Sequence, residues 1–155
     1  MKRCFISLFV LGLALIVVGC GGGATGGGGD GGGTPSISGT VTNAVQSGTN
    51  IHFPGSPEAI ATVSDVTVAA YSDPSYTTSV KSITVDCSGL IYGGPVNYSL
   101  TGLAENATYY LKAVQTMNIT SPFTMTVTGT GTIEVALGTS EATGKDITLE
   151  ASGSF

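Results

Sequence analysis

Between Gly21 and Gly33, ten of thirteen residues are glycine, broken only by Ala24, Thr25 and Asp30. No packed core can include such a stretch, because it has no side chains to bury and the most backbone entropy to lose. It therefore splits the chain into a short leading segment and a following block of about 120 residues. As a coil its ends lie about 20 Å apart on average, and about twice that when extended. A phosphate-cradling reading of the run fails, since no strand precedes it, no helix follows it and it contains no lysine.

The leading segment has its own pattern. Lys2 and Arg3 precede an apolar run from Phe5 to Val18, the layout of a secretory signal. The run is shorter than the roughly 20 apolar residues a spanning helix needs. It closes on Val17-Val18-Gly19-Cys20, a tetrapeptide that resembles the bacterial lipobox. The resemblance implies diacylglyceryl transfer to the Cys20 thiol and removal of residues 1–19, Cys4 among them. Gly21 in the next position resembles lipoproteins sent on to an outer membrane, where the organism has one. The expected organisation is a signal peptide over 1–19, a lipidated cysteine and tether over 20–34, and one domain over 35–155.

Removing the signal leaves three basic and ten acidic residues, a net charge of −7. That balance excludes nucleic acid as a partner, because its binding rests on basic contacts to phosphate. It equally excludes electrostatic adhesion to anionic headgroups. Membrane attachment is thus expected through the lipid on Cys20, two or three chains being needed for stable anchoring. With Cys20 modified, only Cys87 remains, so the domain holds without an internal disulfide. The Cys87 thiol is expected to be buried.

From Thr34 onward the chain is rich in threonine, serine, valine, isoleucine and tyrosine, punctuated by Gly, Pro, Asn and Asp. This is strand and turn chemistry, and no window shows helical apolar spacing. Period-two alternation places strands over 36–42, 65–72, 80–85, 96–100, 108–115, 123–127, 133–137 and 146–149. The expected fold is all-β, a single Greek-key-type sandwich of about seven strands. The stretch 43–64, with Gly48, Pro54, Gly55 and Pro57, reads as a long surface loop.

Three segments carry a family likeness: Ile37-Ser38-Gly39-Thr40-Val41-Thr42, Val66-Thr67-Val68-Ala69-Ala70-Tyr71, and Tyr98-Ser99-Leu100-Thr101-Gly102-Leu103 leading into Tyr109-Tyr110-Leu111. Together with Thr143 to Leu149 they resemble the carboxypeptidase regulatory-like, or transthyretin-like, β-sandwich modules. The resemblance implies a sandwich that accompanies other domains and performs no chemistry of its own. Asn106 stands where such modules usually have a turn glycine, and asparagine is the residue that best tolerates the left-handed conformation. Gly39 and Gly102 are placed where close backbone approach or positive φ favours glycine.

Candidate chemistry is sparse. His52 is the single histidine, which leaves one side chain for any imidazole-assisted nucleophile, and no Gly-x-Ser-x-Gly elbow occurs. Structural zinc needs four ligands drawn mainly from Cys and His, more than the mature chain has. No catalytic residue, metal or cofactor is assigned. Asp65, Asp73 and Asp86 read as turn and edge residues. Tyrosine must supply any sugar-stacking platform, because tryptophan is absent. Tyr71, Tyr76, Tyr92 and Tyr110 are candidates, and Tyr71, Tyr110 and His52 are the ligand contacts put forward. The expected function is a lipid-anchored, non-enzymatic structural or interaction module of the cell envelope, its partner an envelope protein or glycan. The alternative is a carbohydrate or small-ligand binding module at the cell surface.

Overall fold

The computed structural model describes residues 34–53, 56–90, 94–121 and 124–154. The segment expected to be a signal peptide, Cys20 and the glycine run to Gly33 lie outside the described residues. Ten strands follow one another: β1 Ile37–Ala44, β2 Gly48–Phe53, β3 Ser56–Val63, β4 Val66–Tyr71, β5 Ser79–Val85, β6 Gly94–Leu100, β7 Ala107–Ser121, β8 Met125–Leu137, β9 Ile147–Thr148 and β10 Glu150–Ser154. Among the described residues there is no helix, and the domain is an all-β sandwich of two sheets.

The small sheet runs β6-β1-β9, antiparallel between β1 and β6 and parallel between β1 and β9. The large sheet runs β10-β8-β7-β3-β2, with β4 beside the first part of β7 and β5 outside β4. Alternation explains which faces meet. In β6, Val96, Tyr98 and Leu100 are buried while Pro95, Asn97 and Ser99 are exposed. In β7, Tyr109, Leu111 and Ala113 point inward. Their partners in the core include Ile37, Val41, Val68, Val135, Leu137 and Ile147. Each fully buried aliphatic side chain of this kind contributes about 1.5–3 kcal/mol, and together they hold the sandwich without a disulfide.

The stretch 43–64 is not a loop. It carries β2 and β3, which pair antiparallel, and β3 then joins β7 from Ile60 to Val63. Register shifts between Gly48 and Ile51, and between His52 and Phe53, break the period of two that would have revealed these strands. Pro57 sits in β3 ahead of the stretch paired with β7, where its missing N–H costs no bond to that strand.

The strands expected over 123–127 and 133–137 are a single one, β8, running through Gly129 and Gly131. At Gly131 a Cβ would fall within 3.0 Å of the Thr148 carbonyl and the Ile147 side chain. Glycine there admits the closing segment against the strand; it does not end the strand. Likewise β7 continues to Ser121, well past Gln115.

The closing segment runs alongside β1. Ala142 N–H donates to Ser36 O, Ser38 N–H to Ala142 O, and Lys145 N–H to Ser38 O. Asp146 accepts from both the backbone and the hydroxyl of Thr40, at 2.9 and 2.8 Å. Gly39 makes this approach feasible, since a Cβ there would sit within 3.0 Å of three Lys145 backbone atoms. At Leu149 the chain changes sheets: Thr148 pairs with Thr42 in the small sheet, and Glu150 with Thr130 in the large one.

The turn into β7 uses two left-handed residues, Gly102 at φ 76° and Asn106 at φ 52°. The Tyr109 hydroxyl folds back to accept from Ala104 N–H at 2.8 Å and donate to Ala104 O, an arrangement like the tyrosine corner of immunoglobulin-type sandwiches.

Candidate binding face

The outer face of the large sheet collects the tyrosines. Tyr71 on β4 stands directly opposite Tyr110 on β7, and Tyr110 directly opposite Glu134 on β8. Residues paired in this way share one face of the sheet, so these three form a row across three strands. Lys112, two residues beyond Tyr110, lies on the same face. Both tyrosines of the row are half-buried, and Glu134 is exposed.

The loop after β4 adds a third ring. Tyr76 meets Tyr71 edge to face, with centroids 5.4 Å apart and planes at 84°, the geometry favoured by aromatic quadrupoles. The Lys112 ammonium sits 5.7 Å from the Tyr76 ring centroid, within cation–π reach. Tyr76 adopts φ 55°, a left-handed conformation costing a bulky residue about 1–2 kcal/mol.

Asp73 holds the loop in that shape. Its carboxylate accepts from the backbone N–H groups of Ser75, Thr77 and Thr78 and from the Thr77 hydroxyl. These bonds, that from Thr78 foremost, hold the Asp73 carboxyl below the usual carboxylate range. The ring of Tyr76 is thus presented by a short loop tied to one acid.

The site residues read from sequence separate here. Tyr71 and Tyr110 come together, while His52 lies on β2, paired through Ile60 to Ser121 at the other end of β7. Ser121 is eleven residues from Tyr110, about 36 Å along the strand. His52 therefore belongs to a different part of the sheet. Tyr92 lies outside the described residues. Lys112 and Glu134 join the cluster without having been singled out. Their signal was the period of two, which places Lys112 with Tyr110 directly but reveals Glu134 only once the strand register is known.

The remaining acids and the thiol serve the fold. Asp65 accepts from Ser47 and from Cys87 N–H. Asp86 accepts from Ser88 N–H, which lowers its pKa, and Asp146 is lowered by the bonds from Thr40. Cys87 is buried, as expected, and desolvation raises its thiol pKa. Burial, with the nearby Asp146 charge, pushes the Tyr98 phenol up to about 12, and its hydroxyl donates to Lys145 O. Among the described residues no group of three or more His, Cys, Asp or Glu side chains is placed to hold a metal ion.

On the opposite face, where the small sheet ends but β7 and β8 run on, a cleft of about 260 Å³ is lined by Val45, Val63, Met117, Val127, Leu149 and Ala151. Gln115 forms part of its wall. The Gln115 side chain accepts from Val45 N–H at 2.8 Å and donates to Val45 O and Ser64 O at 2.7 and 2.9 Å. This stitches the end of β1 to the junction between β3 and β4.

Comparison with known proteins gives no match to the chain, whether among protein-family models, curated proteins or solved structures.

Proposed function

We propose that this protein is a lipid-anchored interaction module of the cell envelope, non-enzymatic, reaching its partner through the outer face of the large sheet. The observation that carries the reading is the cluster of Tyr71, Tyr76 and Lys112, with one ring held in a strained conformation by four bonds to Asp73. Strain of this kind persists only where the surroundings enforce it, and it gathers at contact sites. A rigid aromatic face with a cation beside it suits recognition better than bond-breaking.

The lipobox-like Val17-Val18-Gly19-Cys20 supports the anchor, and the glycine run supports a working distance from the membrane of about 20–40 Å. Resemblance to the carboxypeptidase regulatory-like modules supports an accessory role. The anchor is tested by growing cells with an alkyne-bearing palmitate analogue. Label is expected on the wild-type chain in the membrane fraction and absent from Cys20→Ala; label that survives this substitution refutes the anchor. The contact role is tested by crosslinking in intact envelopes from Tyr110→p-benzoylphenylalanine. Adduct formation is expected there and not from the same replacement at Ser99 on the small sheet.

A further inference from the structure

We propose that Tyr71, Tyr76, Tyr110, Lys112 and Glu134 form a binding platform for neutral hexopyranose chains. The inference rests on the reading of this face as the contacting surface, and it names what the face takes. Neighbouring strands lie about 4.8 Å apart, so the row Tyr71, Tyr110, Glu134 is about 10 Å across, the scale of a short oligosaccharide. A pyranose has one face of C–H groups and a rim of hydroxyls. Aromatic rings complement the first, and mixed donors and acceptors complement the second.

The cluster supplies both kinds of partner. Tyr71 and Tyr110 are register neighbours on one face of the sheet, and the Tyr76 ring meets that of Tyr71 at 84°, so the rings present more than one orientation to a ligand. Lys112 only donates hydrogen bonds, the Glu134 carboxylate only accepts, and the phenols do both. Adjacent sugar hydroxyls need that mixture. Lys112 and Glu134 are of opposite sign and the Asp73 carboxylate is taken up by the donors of its own loop, so the platform favours a ligand with no net charge over an acidic or a basic one.

Rigid presentation adds to the case. Asp73 fixes the loop before any ligand arrives, and preorganisation of this kind raises affinity by reducing what must be ordered on binding. Ala69, facing the same way and paired with Lys112, is buried. The competing occupant is a proline-rich peptide, which also stacks on tyrosines but docks into a groove between aromatic walls. A row of residues across three strands with one ring at right angles is a poorer match to it.

The test uses the full lipidated chain in a detergent without a sugar headgroup. Maltohexaose, cellohexaose and N-acetylchitohexaose are titrated in turn. Tyrosine fluorescence reports binding without interference, as the chain contains no tryptophan. Saturable binding of at least one hexasaccharide is expected. Tyr76→Gly and Tyr110→Ala should each weaken it about tenfold, which corresponds to about 1.4 kcal/mol, and Lys112→Met should weaken it by a smaller factor.

Tyr76→Gly guards against misfolding as the cause, because glycine accepts φ 55° freely and the loop is held by Asp73. Three results overturn the proposal: no response to any of the three sugars, binding unchanged in Tyr76→Gly and Tyr110→Ala, or tighter binding of a proline decamer on the same residues. A silent sugar titration beside a positive crosslink from position 110 refutes the glycan and leaves the interaction module standing. The absence of both refutes the two together.

Discussion

Gln115 offers a sharp test of the architecture, because one buried amide joins three parts of the chain. It is 5 % exposed and makes three hydrogen bonds, two with the Val45 backbone and one with Ser64 O. Gln115→Leu removes all three while nearly preserving volume. Each lost bond costs about 1 kcal/mol, and orphaned buried groups cost more. Val45 is half-buried and Ser64 exposed, so water replaces part of the loss, and the net cost comes to about 2–3 kcal/mol. With a urea m-value of about 1.5–2 kcal/mol per molar, the midpoint should fall by about 1–2 M. Gln115→Glu is the informative companion. Its carboxylate would face two carbonyl oxygens with no proton to offer, so the folded state favours the protonated acid and holds its pKa above the unfolded value. Stability of this variant should therefore rise as pH falls from 8 to 5, where the wild type gains nothing of the kind. Circular dichroism of urea titrations at the two pH values reads both effects. A Leu variant within 0.5 kcal/mol of wild type, or a Glu variant indifferent to pH, would refute the stitching role.

Gly39→Ala and Gly131→Ala should each cost at least about 2 kcal/mol by overpacking, seen in the same denaturation assay, because the clashing atoms include Lys145 and Thr148 backbone. Asp73, Asp86 and Asp146 have folded pKa values below their usual 3.8. Their stabilisation is complete above that pH and is lost as pH falls through the depressed values, so thermal melts should show Tm dropping below about pH 4. Cys87, buried with a raised thiol pKa, should resist Ellman's reagent at pH 8 in the native protein and react at once in 6 M guanidinium, and fast native labelling would contradict its burial.

Much of the sandwich could be read from residue order, for reasons that also explain the failures. Where one face of a strand is dry and the other wet, as at Val96, Tyr98 and Leu100, the period of two is written into the chain. The left-handed turn at Asn106 was legible from its residue type. β2 and β3 were not, because bulges shift the alternation midway. β8 read as two strands, on either side of Gly129 and Gly131, since the close approach of the Thr148 backbone to Gly131 leaves no local trace. The tyrosine cluster was half legible: Tyr71 and Tyr110 were identified singly, but their pairing is a matter of register between strands far apart in sequence. His52 looked comparable to them only because nothing in the chain fixes distance.

The crossing at Leu149 also sets a clock. β1, near the start of the domain, gains its second neighbour only when Ile147 and Thr148 arrive, and the contact between Thr42 and Thr148 spans 106 positions. The outer edge of β8 waits for Glu150 to Ser154 in the same way. Closing so long a loop costs only slightly more than closing one half its length, so the delay comes from supply, not entropy. Until those residues emerge, β1 has only β6 beside it and β8 only β7, so the two sheets are completed together by the last strands of the domain.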